Sequence, residues 1–158
     1  MAGLIIGGAA LALGWLFARS DAPSAARLLL AEEVVEEDLE ENAPGPVADR
    51  PSSGPQRGAP QCGVASAPPP PTEQVAALAS GVVVIHHRPE LDGPARQALQ
   101  RLVDVHDRVL VVPEEGLDAD VEATAWRHRY RQETVDPTDL ERFVVGWGGR
   151  GPDPRPCP

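Results

Sequence analysis

One block of the chain departs from the mixed polar and apolar pattern around it. Gly81 to His87, GVVVIHH, places four consecutive β-branched apolar residues between a glycine and two histidines. Such a run suits a strand covered on both faces rather than one. Arg108 to Glu114, RVLVVPE, repeats the pattern and predicts a second buried strand. Between the two, Asp92 is placed to cap a helix in which Ala95, Ala98, Leu99, Leu102 and Val103 form one apolar stripe. Strand, helix, strand in that order predicts parallel neighbours joined by a right-handed crossover. Val121 to Glu133 alternates with period two and reads as one further strand. Thr124, Trp126, His128 and Tyr130 would then share one face, and Ala125, Arg127, Arg129 and Arg131 the other. Asp136-Pro137 opens a last helix with an inward stripe of Leu140, Phe143, Val144 and Trp147, ended by Gly148-Gly149. Thr72 is placed to cap a short helical turn, EQVAALAS, ahead of the central strand. The expected fold is α+β over residues 72–148, a small mixed sheet of about three strands covered by two helices, with a tail at 149–158.

The segments upstream follow other rules. Ala2 to Ala18 contains no charge and ends at Arg19-Ser20-Asp21. Seventeen helical residues reach about 26 Å, the lower limit for crossing a bilayer. Residues 1–20 are therefore expected to be a transmembrane helix, with Leu4, Ile5, Ile6, Leu11, Leu13, Trp15, Leu16 and Phe17 as the lipid-facing anchor. A cleaved signal peptide is the competing reading, opposed by the missing basic n-region and the length of the apolar run. Residues 21–42 read as an acidic helix capped by Ser24, or as a solvated stalk. Residues 43–71, rich in Pro, Gly, Ser and Ala, lack the apolar content to fold alone and read as an extended arm.

Composition narrows the function. The chain has 18 Pro and 15 Gly, and all 14 of its basic residues are Arg. Its formal charge of −10 argues against nucleic acid, whose binding depends on basic residues neutralising phosphates. Cys62 and Cys157 lie far apart without a CxxC pairing, which leaves one disulfide or two free thiols. Oxidised, they would close a loop worth about 4–5 kcal/mol in the chain-entropy model, in an oxidising compartment. No GxSxG, GxxxxGK or HExxH pattern occurs, so no enzyme and no cofactor are expected. His86 and His87 are adjacent on a strand and point to opposite faces. Joined by His128, they form the residual copper or zinc site of an alternative, metal-binding reading. His106 sits near a helix end, where a cation favours the dipole. Arg127, Arg129 and Arg131 make a basic row suited to an acidic partner or lipid phosphate, or to protecting a sheet edge.

In order and spacing, PSSGPQRGAPQCGVASAPPPP, VAALASGVVVIHHRP, RVLVVPEEGL, ATAW and the terminal helix resemble the bacterial proteins grouped as domain of unknown function 3105, over roughly Val47 to Cys157. The resemblance implies a membrane-anchored protein facing outward from the cytoplasm. It also marks departures. Gln56 stands where the family pattern has a histidine, and Ala76-Ala77-Leu78-Ala79-Ser80-Gly81 stands where it has histidine-asparagine-x-glutamate-histidine-glycine. Alanine and serine hold no zinc or copper. The expectation is a non-catalytic accessory or binding subunit of a larger membrane protein complex, respiratory or photosynthetic, on the extracytoplasmic side.

Overall fold

The computed structural model describes residues 50–158 and the pair Glu32–Glu33. In chain order the elements are β1 (Glu32–Glu33), β2 (Gly63–Val64), α1 (Pro71–Ala79), β3 (Val83–His87), α2 (Gly93–Val105), β4 (Val109–Pro113), β5 (Val121–Ala125), β6 (His128–Gln132) and α3 (Pro137–Trp147). The class is α+β, as expected, with a mixed sheet. The counts differ: the domain builds five strands, not three, and three helices, not two. The sheet runs β6-β5-β3-β4-β2, and β1 adds to its β6 edge.

The central pair behaves as its composition dictates. β3 and β4 are parallel, Val83 opposite Val109 through His87 opposite Pro113. Because successive side chains alternate, β3 feeds two separate cores. Val83 and Ile85 join Leu99, Leu102, Val109, Val111, Leu140 and Phe143 beneath α2 and α3. Val82 and Val84 join Ala77, Leu78, Leu110 and Val112 on the α1 side. Each fully buried Val, Leu or Ile contributes about 1.5–3 kcal/mol, so both faces of β3 must be roofed. The helices were capped as anticipated: Asp92 accepts from the Ala95 N–H at 2.8 Å, and Asp136 accepts from Thr138 and Asp139.

Three differences have physical causes. The period-two segment is a hairpin rather than one strand, with β5 and β6 closing at Ala125 opposite His128. The chain reverses at Trp126-Arg127, where Arg127 takes φ 60° without the Gly or Asn that usually signals such a turn. His128 and Tyr130 therefore lie across the sheet from Thr124 and Trp126. His128 stacks on Trp147 and Tyr130 on Phe143, whereas Trp126 packs in the α1-side core. EQVAALAS is part of a full helix, and its cap is Pro70 with Pro71 in the first turn, not Thr72. Its Val75–Ala79 stretch is fully buried, so no amphipathic stripe announces it. From Arg50 onward the arm is not free chain. It supplies β2, parallel to β4, and Cys62, which is disulfide-bonded to Cys157 with 6.0 Å between Cα atoms.

Glu32–Glu33 pair with Arg129 and His128 as a strand, where the sequence reading offered a helix or stalk. An edge strand supplies the main-chain partners that a helix would find internally. The rest of residues 21–42, and the anchor from Leu4 to Phe17, lie outside the described residues. Among the described residues no helix is long and apolar enough to cross a membrane.

The tail closes the α1-side roof by direct main-chain contact. Gly149 donates to the Gly81 carbonyl at 2.7 Å and Asp153 to the Ala79 carbonyl at 2.9 Å. A Cβ on Gly81, whose φ is 84°, would lie 2.6 Å from the Gly149 Cα. Gly81→Ala is expected to cost at least about 2 kcal/mol, through left-handed strain and displacement of the tail. Gly116→Ala is the control: φ is 75° but nothing lies within 4 Å, so only the strain of about 1 kcal/mol applies. Urea denaturation of the two variants checks the difference.

Candidate functional site

The antiparallel pairing of β3 with β5 sets His86 opposite Glu122 and Val84 opposite Thr124. His86, Glu122 and Thr124 therefore share the sheet face that α1 and the arm cover. All three are buried, at 1%, 4% and 0% exposure. Gln74, on α1, closes the cluster from above. Its amide nitrogen donates to the Pro69 carbonyl at 2.9 Å, which turns its oxygen toward His86 Nε2 at 3.1 Å. That network assigns the proton to Nε2 and leaves the lone pair on Nδ1. Neither His86 Nδ1 nor Thr124 Oγ1 has a hydrogen-bond partner among the described residues.

Charge enters from the arm and from β6. Arg50 Nε lies 3.3 Å and Arg129 Nε 3.4 Å from the same Glu122 oxygen, and Arg129 also donates to the Arg50 carbonyl at 2.7 Å. One buried carboxylate is thus held between two guanidinium groups, and the arm's first described residue is tied to the sheet. The Arg127 N–H continues the tie by donating to the Ser52 carbonyl at 2.9 Å. Burial, then Arg50, Arg129 and His87, push the His86 pKa down from 6.5 to about 4. His86 is therefore a neutral imidazole at physiological pH. It has a lone pair suited to a base or a ligand, but no path to solvent for a substrate.

The histidines singled out in the sequence do not share a site. His86 faces α1, and His87 turns its Nδ1 to donate to the Arg88 carbonyl at 2.8 Å. His128 stacks on Trp147 with ring centroids 3.5 Å apart. Through the β5 register His87 aligns with Gln132, four residues along β6 from His128. That separation is about 13 Å at strand rise. Among the described residues no three His, Cys, Asp or Glu side chains form a metal-holding group. His106 caps the end of α2 and meets Glu141 of α3 at 3.4 Å.

Gln56 and Ser80, which stand at the positions where the resemblance implied family histidine motifs, are both met by arginines. Arg155 Nη2 donates to Gln56 at 3.2 Å. Arg108 Nη1 donates to the Ser80 carbonyl at 2.6 Å and to the Arg155 carbonyl at 3.0 Å. Arm, α1 and tail are thus bound together by two guanidinium groups. On the opposite side of the domain, an open groove of about 700 Å³ runs beside Leu91, Ala98, Arg101 and Val135. The ion pair Arg88–Asp120 lies at its rim.

Sequence reasoning missed the cluster itself. Arg50, Gln74, Glu122 and Thr124 are scattered along the chain and meet only through sheet register. The available signal was Glu122, a lone acid within VEATA, a strand of otherwise small and β-branched residues.

Two outcomes are expected. Above pH 6.5 His86 is neutral in both folded and unfolded chains. As pH falls from 6.5 toward about 4, the unfolded chain takes up the proton first. Stability then falls by an amount approaching about 3 kcal/mol. Urea denaturation at pH 7 and pH 4 should show a loss smaller by that amount in His86→Gln. Glu122→Gln leaves two partly exposed guanidiniums facing no carboxylate and should cost about 2–3 kcal/mol at pH 7 in the same assay.

The family described as "Protein of unknown function (DUF3105)" matches residues 47–157. None of the curated proteins and none of the solved structures matches the chain.

Proposed function

Since the chain belongs to the DUF3105 family, we propose that it is a non-catalytic binding or accessory subunit of a larger membrane protein complex, respiratory or photosynthetic. In this reading residues 1–20 anchor it in the lipid bilayer by a single pass, and the domain stands on the extracytoplasmic side. The observation that carries the binding role is the fate of the polar constellation. His86, Glu122 and Gln74 are spent on one another and on the arm, beneath a closed roof. A side chain that no substrate reaches supports a structural use for it. What the domain offers to a partner is its arm, its tail and its sheet edges.

The Cys62–Cys157 disulfide supports the compartment. Such bonds persist outside the reducing cytoplasm. Its loop spans a sequence separation of 95, which in the chain-entropy model corresponds to about 4–5 kcal/mol. A copper or zinc accessory role at His86, His87 and His128 is the weaker reading, because those imidazoles lie on different faces or more than about 13 Å apart.

Extraction from native membranes in a mild detergent should recover the chain with larger subunits, and recovery as a lone monomer would overturn the proposal. Metal analysis of the same material separates the alternative, which stoichiometric copper or zinc would favour. Cys62→Ser is expected to lower stability by about 4–5 kcal/mol, and Cys157 in the wild-type chain should resist maleimide until reductant is added.

A further inference from the structure

The two edges of the sheet are unequal. β2 is a two-residue strand beside the disulfide, short enough to offer little to another chain. β6 is five residues long and pairs over its whole length with β5 on its inner side. On its outer side, among the described residues, His128 and Arg129 are paired with Glu33 and Glu32. Tyr130, Arg131 and Gln132 have no strand partner on that side among the described residues. β6 contains no proline, so each of its residues keeps a main-chain N–H.

Arginine marks this edge. Arg127 sits exposed in the turn, and Arg131 is 44% exposed. Among the described residues Arg131 meets Glu133, itself 75% exposed, a pairing that solvent makes weak. Residues 50–158 carry twelve arginines against fifteen acids, whereas residues 1–49 carry two against nine. The residues that do pair with β6 are both glutamates, from a stretch with seven acids between positions 32 and 41. These charges repel a basic strand and attract an acidic one.

We propose that the outer edge of β6 is a docking site for an extended acidic segment of a partner protein, with Glu32–Glu33 as its resident competitor. The proposal rests on the accessory-subunit reading. The incoming main chain would hydrogen-bond along Tyr130–Gln132 and displace β1, and Arg127 and Arg131 would select for carboxylates. Strand addition of this kind draws affinity from the backbone and selectivity from alternate side chains.

The test uses the full chain in detergent and two labelled peptides, LAEEVVEE (residues 30–37) and its basic counterpart LAKKVVKK. Glu33→Pro removes a main-chain donor from the resident strand. It should tighten binding of the acidic peptide by about tenfold over wild type, while the basic peptide stays unbound. Adding Arg127→Gln and Arg131→Gln should reverse that gain. Both positions are exposed, and a circular-dichroism melt confirms that the variants fold. Hydrogen exchange at Tyr130–Gln132 should slow when the acidic peptide binds. Equal binding of both peptides, indifference to the arginine substitutions, or binding without slowed exchange would overturn the proposal. So would binding to phosphatidylglycerol vesicles with none to the peptide. Loss of co-purification with continued peptide binding would sink the accessory role and leave the edge site standing; the reverse result would sink the edge site alone.

Discussion

A strand buried on both faces needs two roofs, and that requirement organises this molecule. β3 sends Val83 and Ile85 one way and Val84 and His86 the other, with Val82 just before it on the second side. Two amphipathic helices, α2 and α3, satisfy the first face in the ordinary manner of an α+β domain. The second face has only the nine residues of α1. The remainder of that roof is made from chain with little secondary structure of its own: the proline-rich arm before α1 and the tail after α3. Such segments bury few apolar side chains, so they are held by other means. The disulfide, the Gly149–Gly81 and Asp153–Ala79 main-chain bonds, and the guanidinium groups of Arg50, Arg108 and Arg155 do that holding.

The polar cluster follows from the same arrangement. A roof made of backbone-rich chain brings carbonyls and charged side chains close to the sheet, and unsatisfied polar groups are costly there. Glu122 is the counter-charge that lets Arg50 and Arg129 approach, and Gln74 links His86 to the α1 side. Arginine suits these positions because its planar fork serves a carboxylate and a carbonyl at once, as Arg129 does with Glu122 and the Arg50 carbonyl. The arm, the end of α1 and the tail are joined there by a set of arginine clasps.

Much of the first roof was legible in the sequence, and little of the second. The apolar runs of β3 and β4, the i, i+3, i+4 stripes of α2 and α3, and the Asp92 and Asp136 caps each carry a local pattern with one good physical solution. The β5–β6 hairpin did not, because Trp126-Arg127 gives no turn signal and the alternation passes through it unbroken. α1 was reduced to a turn because it is buried all round rather than striped. Glu122, Gln74 and Arg50 were out of reach for a different reason. Their partnership is created by register between β3 and β5 and by where the arm lies, neither of which any single window of sequence encodes. The disulfide pairing was open from spacing alone and is settled by the meeting of arm and tail at one edge of the sheet.

The Cys62–Cys157 bond also fixes how the domain responds to load. All of β2 through α3 lies between the two cysteines. Tension applied to the chain ahead of Cys62 passes through sulfur into Cys157 and bypasses the hydrogen bonds of the five-stranded core. A pull from the N-terminal side can peel the residues before Cys62 away from β6, including the Arg50 ties and the Glu32–Glu33 pair. It cannot extend the sheet itself while the covalent ring is closed. The molecule is thereby divided into a strippable collar and a mechanically shielded body, with the boundary at Cys62.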